Sequence, residues 1–152
     1  MTISELTEHV VDLIDAAVLV PVVKTAGRPA HPNAGDCDGA RVHVWWENTF
    51  NVRQGGPADD FVRSQASIAF EVMVCYPDDD LGETISDESH ADVADDFESL
   101  VQQVWCAVVN GPKPADCETW RPDRITVQQR SGGIVSAIGY IVTDAFCTVP
   151  SS

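Results

Sequence analysis

The sequence predicts an α+β fold: an antiparallel sheet of about four strands with two helices packed on one face. Three observations lead there. An amphipathic helical repeat opens the chain, a strict two-residue alternation runs from Ser64 to Tyr76, and a second helical repeat separates that strand from a closing hairpin. The resulting order is helix, two strands, helix, two strands, which places helices against an antiparallel sheet. At 152 residues the chain has the length of one domain with one core. Long loops are expected near 25–40 and 47–63.

The first helix is expected over residues 3–18. Ile3, Leu6, Val10, Leu13, Ile14 and Ala17 recur at helical spacing. Thr2 followed by Glu5 is a capping-box pair, and Pro21 ends the helical region because the residue before proline avoids α geometry. Residues 25–40 are rich in Gly, Pro, Asn and Asp and read as loop. Residues 41–46 alternate, with Val42, Val44 and Trp46 on one face and His43 and Trp45 on the other. Residues 47–63, with Gln54-Gly55-Gly56-Pro57, read as a long hairpin loop.

The next strand is the clearest element. Ala66, Ile68, Phe70, Val72, Val74 and Tyr76 share one face; Ser67, Ala69, Glu71, Met73 and Cys75 share the other. One continuous apolar face and one mixed face suit a sheet covered strongly on one side. Pro77 stops the strand, and an acidic turn leads to a helix running to about Asn110. Its apolar face carries Phe97, Leu100, Val101, Val104 and Val108, and its acidic first turns suit the positive end of the helix dipole. Gly111 is expected as a left-handed cap. After a proline-rich loop to residue 123, strands at 124–130 and 134–149 flank the turn Ser131-Gly132-Gly133. The last run is long for a strand, so a bend or bulge is expected, with Gly139 its natural place.

Charge narrows the function classes. Nine basic residues face 24 acidic ones, a net charge of −15. Such a surface repels phosphate, which excludes electrostatic binding to duplex DNA. No apolar run approaches the ~20 residues that span a bilayer, and Met1-Thr2-Ile3-Ser4-Glu5 lacks the form of a signal peptide, so a cytoplasmic setting without membrane contact is expected. The five cysteines are odd in number and include no CxxC; free thiols in a reducing compartment fit that pattern.

Catalytic and metal motifs are missing. His9, His31, His43 and His90 are scattered and form no zinc-ligand spacing. No phosphate loop or nucleophile elbow occurs, and the lysines are Lys24 and Lys113 alone. Asp78-Asp79-Asp80-Leu81-Gly82-Glu83 superficially resembles a calcium loop, but its fifth position is Gly82 and its twelfth is Ser89. Helix capping by a solvated turn is the plainer reading. No catalytic residue, metal ligand or cofactor is assigned, and a protein-binding role is expected instead of enzyme activity.

Apolar residues in polar surroundings mark the candidate protein interface: Trp45, Trp46, Phe50, Val52, Phe61 and Val62. The two adjacent tryptophans must face opposite sides of a strand, so one packs inward and the other is available to a partner. The others sit in the expected loop, where apolar side chains suggest a docking arm. Burial by another part of the same chain is the competing explanation.

The whole layout resembles the tail terminator family of long-tailed, non-contractile phages, especially those infecting actinobacteria. The resemblance is carried by the helix ending at Val20-Pro21-Val22-Val23, the strand from Ser64 to Tyr76 closed by Pro77, the helix around Phe97-Glu98-Ser99-Leu100-Val101, and the hairpin from Arg130-Ser131-Gly132-Gly133 to Val149. It covers nearly the whole chain and rests on architecture. It implies a structural virion protein in the tail neck, assembled in the host cytoplasm into a homo-oligomeric, commonly hexameric ring. Such a ring caps the tail tube protein, ends its polymerisation and meets a head–tail connector or stopper protein. Genome DNA passes through the bore without specific binding. On this reading Asp78, Asp79, Asp80 and Glu83 are the candidate acidic bore-facing residues. Another head–tail joining or minor tail protein shares this layout, and an acidic protein-binding module unrelated to phages is the alternative of a different class.

Overall fold

A computed structural model describes residues 2–30, 39–53, 62–75, 87–115, 117–130 and 134–144. The elements are α1 (Ile3–Asp15), β1 (Val22–Lys24), β2 (Ala40–Arg53), β3 (Val62–Cys75), α2 (Asp87–Asn110), β4 (Trp120–Arg130) and β5 (Ile134–Asp144). The α+β class with two helices holds, but the sheet has five strands in the order β1-β2-β3-β5-β4 and is mixed. The extra strand is β1, paired parallel to β2 through Val22↔Val42, Val23↔His43 and Lys24↔Val44. Pro21 has no N–H to offer a neighbour, yet its carbonyl accepts from Val42 N at 2.9 Å, so it can lead directly into an edge strand.

Helix α1 begins with the capping box read from Thr2 and Glu5: Glu5 N donates to Thr2 Oγ1 at 3.2 Å, and Thr2 N donates back to Glu5 Oε2 at 3.3 Å. It ends at Asp15, earlier than residue 18. Leu6, Val10 and Ile14 are fully buried along one stripe. Val10 and Ile14 meet Phe97, Val101, Val104 and Val108 of α2 and the sheet face formed by Val42, Val44, Ile68, Phe70, Val72 and Ile141, whereas Leu6 packs with Cys117. Each such side chain contributes about 1.5–3 kcal/mol of burial. Where α1 meets the end of α2, His9 Nε2 donates to Pro112 O at 2.8 Å, and its ring stands edge-on to Trp120.

Several sequence expectations need correction. Residues 47–53 are not loop: β2 continues to Arg53 and stays paired with β3 as far as Arg53↔Val62. A register shift between Trp46 and Asn48 resets the alternation there, which hides the strand from a period-two reading. β4 starts at Trp120 and contains Pro122, tolerated because β4 is an edge strand. Gly139 makes no bulge in β5; it stays in register opposite Phe70. The irregularity lies across from it in β4, between Asp123 and Thr126. Gly111 is not in the left-handed region; Gly39, at φ 77°, is. Gly111 instead makes room, since a Cβ there would come within 2.6 Å of Ala107 O and 2.7 Å of Leu13 Cδ2.

The sheet is also covered on both faces. Trp45, Ala69, Glu71, Met73 and Ser136 lie on the side away from the helices, and all are buried. The expectation of free thiols fails as well. Cys75 and Cys117 are disulfide-bonded, while Cys106 is a free, exposed cysteine on α2.

Candidate functional site

The candidate surface is built on the β2–β3 hairpin. Its strands match in length, and β1 supports the outer edge of β2 only from Val42 to Val44, with Thr25 N adding one more bond to Val44 O at 2.9 Å. Beyond that point, among the described residues, the outer edge of β2 has no neighbouring strand. Unpaired strand edges are natural places for another chain to add.

The interface residues expected from sequence separate here. Trp45 is buried (2% exposed) and Trp46 is open (44%), on opposite sides as their adjacency requires. Trp46 is in register with Ile68 and Thr49 with Ala66, so both share the helix-side face, and Trp46 Nε1 donates to Thr49 Oγ1 at 3.0 Å. Phe50 pairs with Gln65, as Trp45 pairs with Ala69, which puts Phe50 on the other face. Phe50 is exposed too. The bulge therefore gives the hairpin one open aromatic on each side. Val52 and Val62 lie on paired strand backbone, not in a loop, with side chains outside the described residues. Phe61 and the candidate bore residues Asp78, Asp79, Asp80 and Glu83 also fall outside the described residues.

Beneath Trp46 the hairpin is held rigidly. Trp45 Nε1 donates to Glu47 Oε2 at 2.6 Å, anchoring the bulged residue to the buried indole. On the same face Glu71 is 1% exposed and forms an ion pair with Arg28, Nη2 to Oε2, at 3.1 Å. Arg28 Nη2 also donates to Gln128 Oε1 at 3.1 Å. One guanidinium thereby ties the segment after β1 to both β3 and β4. Sequence reasoning missed this pair, since Glu71 read as a solvent-facing residue of a mixed face and Arg28 as part of a featureless loop.

At the hairpin's far side, Asp144 Oδ2 accepts from Glu118 N at 2.7 Å and Thr119 N at 3.1 Å, fixing the approach to β4 against the end of β5. Among the described residues no three His, Cys, Asp or Glu side chains converge as a metal site. The shallow groove beside α1 is lined by Ile3, Ser4, Thr7, Lys24, Thr25 and Ala26. Its one charged group, Lys24, is engaged by Glu8 at 3.2 Å and Ser4 Oγ at 3.1 Å. No described helix is long and apolar enough to cross a membrane.

These features define a class: a mixed-sheet α+β domain whose distinctive surface is an open-edged, aromatic-bearing hairpin. No protein-family model matches the sequence, and no curated protein is detectably similar to it. Among solved structures, the chain aligns with the sheath/tube terminator of an extracellular contractile injection system (PVC), seen by cryo-electron microscopy in the extended state. The identity is 10% and the TM-score 0.37, and the alignment covers 100% of this chain and 61% of that one. This chain thus spans about three fifths of that neighbour's length. A TM-score of 0.37 is too low to define a shared fold; the α+β class given above rests on this chain's own helices, strand order and register.

Proposed function

We propose that this chain is a structural protein of a phage tail neck. Its subunits form a homo-oligomeric ring, six in number, that caps the tail tube of a long-tailed, non-contractile phage. The ring ends tube polymerisation and joins the tail to the head connector or stopper protein. The role is architectural, not enzymatic, and is exercised in the virion after assembly in the host cytoplasm.

The observation that supports this reading best is the open edge of β2 beyond Val44, with Trp46 and Phe50 exposed on its two sides. A closed ring needs two different patches on each subunit, and a free strand edge flanked by aromatics supplies one of them. The net charge of −15 suits a bore through which DNA moves without adhering.

Light scattering with negative-stain imaging tests it directly. The wild-type chain, alone or with its tail tube protein, is expected to give closed rings with a bore wide enough for duplex DNA. The double variant Trp46→Ser/Phe50→Ser is expected to stay monomeric with an unchanged circular dichroism spectrum, because both side chains face solvent in the subunit. A wild-type chain that remains monomeric even with purified tail tubes would sink the proposal.

A further inference from the structure

The sheet has a second open edge. From β2 the strands reverse direction at β3, at β5 and again at β4, since all three pairings are antiparallel. β4 therefore runs opposite to β2. It ends the sheet on the far side, and among the described residues no strand lies beyond it. A second copy set beside the first in the same orientation brings its β4 against β2 as an antiparallel neighbour, the arrangement with the slightly more stable ladder.

The two edges match row by row. Trp46 pairs with Ile68, Ile68 with Ile141 and Ile141 with Pro122, so Trp46 and Pro122 end one row on the helix-side face. Asn48, Ser67, Val142 and Arg121 form the next row, on the opposite face. Backbone polarity matches as well. Val42 N donates to Pro21 O and Val44 O accepts from Thr25 N, both at 2.9 Å, so the even-numbered residues in this part of β2 point outward. Trp46 is next in that phase. Pro122 lacks an N–H, so it cannot be a residue that exchanges both bonds with β5, and its carbonyl points to the open side. The outer edge of β2 thus already takes one proline carbonyl, that of Pro21, and Pro122 offers another of the same kind. Charge agrees. Arg121 and Arg124 are exposed and make no ion pair with a described residue, although acidic residues outnumber basic ones 24 to 9. Glu47, the extra residue of the β2 bulge, is exposed between the rows of Trp46 and Asn48.

We infer that the open edge of β2 receives the β4 edge of a second copy of this chain. The inference rests on the ring reading above and names the second of the two patches that a closed ring requires. With the copies side by side and no sliding along the strands, Trp46 N donates to the carbonyl of Pro122 of the partner subunit, and the Trp46 indole lies over that proline ring on the helix side. On the other face, Phe50 and Glu47 meet Arg121 of the partner subunit. The Phe50 ring is diagonal to it, within reach of a long side chain, and offers its π face, while Glu47 supplies the opposite charge. Pro122 and the irregularity of β4 after Asp123 leave that edge few backbone bonds to offer, which discourages pairing with extended chain in general. Recognition therefore depends on the aromatic and charged side chains more than on the ladder.

Two surface variants, separate and mixed, test it by light scattering. Arg121→Glu/Arg124→Glu reverses the charge of the β4 edge and leaves β2 intact; Trp46→Ser/Phe50→Ser does the opposite. Under the conditions in which the wild-type chain forms rings, each variant alone is expected to stay monomeric with an unchanged circular dichroism spectrum. An equimolar mixture is expected to give one-to-one pairs of twice the subunit mass and nothing larger, because one intact β2 edge then meets one intact β4 edge. Rings formed by either variant alone would overturn the inference and leave the tail-neck reading standing. Dimers of Arg121→Glu/Arg124→Glu alone would overturn it in favour of two β2 edges paired with each other, and a mixture that stays monomeric would overturn it as well. A wild-type chain that forms no ring even with purified tail tubes would remove the tail-neck reading and this inference with it.

Discussion

Gly139→Val is expected to prevent folding at 37 °C, and Gly139→Ala to lower stability by about 3 kcal/mol, the upper end of overpacking penalties. Gly139 sits opposite Phe70 in the pairing of β3 with β5, on the face that meets the helices. A Cβ there would fall into the Phe70 ring, contacting Cζ and coming within 2.8 Å of Cε2. The ring cannot swing away, because Phe70 is fully buried among side chains of both helices and the sheet. Phe70 therefore occupies the space that the glycine leaves, an aromatic lying over a strand glycine. Denaturant unfolding of Gly139→Ala, alone and combined with Phe70→Leu, is the check. Phe70→Leu alone should destabilise by leaving a void, yet part of its cost should vanish in the double variant, because the smaller side chain makes room for the new methyl. Strictly additive losses would show that the two positions do not share that space.

Removing either partner of the Arg28–Glu71 pair is the second large effect. Glu71→Ala is expected to cost about 3 kcal/mol, since breaking a buried pair typically costs 3–5 kcal/mol and Arg28 remains partly open to water. Arg28→Met is expected to cost at least as much, about 3 kcal/mol: the Arg28 side chain is 39% exposed, which screens its attraction, but its loss leaves the 1%-exposed Glu71 carboxylate without that cation. The two losses differ in kind. Glu71 lies inside the sheet, whereas Arg28 holds down the segment that crosses it. Arg28→Met should therefore raise protease sensitivity near residues 25–30 under native conditions, an effect that Glu71→Leu, which fills the site with apolar volume, should show less strongly. Equal stability of wild type and Arg28→Met by urea unfolding would mean that the ion pair contributes nothing net.

The parts of this fold legible in the sequence are those where periodicity runs uninterrupted. The alternation through β3 places its core-facing residues correctly, from Ala66 to Val72, and the end of α2 at Asn110 is legible as well. Reading failed where one residue breaks the period. The bulge at Glu47 shifts Phe50 to the other face and made a strand look like a loop. Pro122 read as a breaker, although at a sheet edge it costs no ladder bond. Three-residue β1 is too short to show a pattern at all. Gly139 suggests a bulge in the sequence but instead makes room for the Phe70 ring, because nothing in a sequence shows which ring lies over a glycine. Of the candidate interface, the opposed tryptophans followed from simple adjacency. The Arg28–Glu71 pair did not, since it joins a loop to a strand residue far along the chain.

The open edge of β2 also has a consequence for hydrogen exchange. Along an antiparallel edge strand only alternate amides point inward to the neighbouring strand; the others point outward and, from Trp46 onward, have no strand among the described residues to receive them. Slow and fast exchange should alternate along this ribbon, with the phase slipping once at the bulge. Any partner that adds a strand here would slow the fast set and leave the slow set unchanged, so the amides themselves report whether docking occurs through the backbone or only through the aromatic side chains.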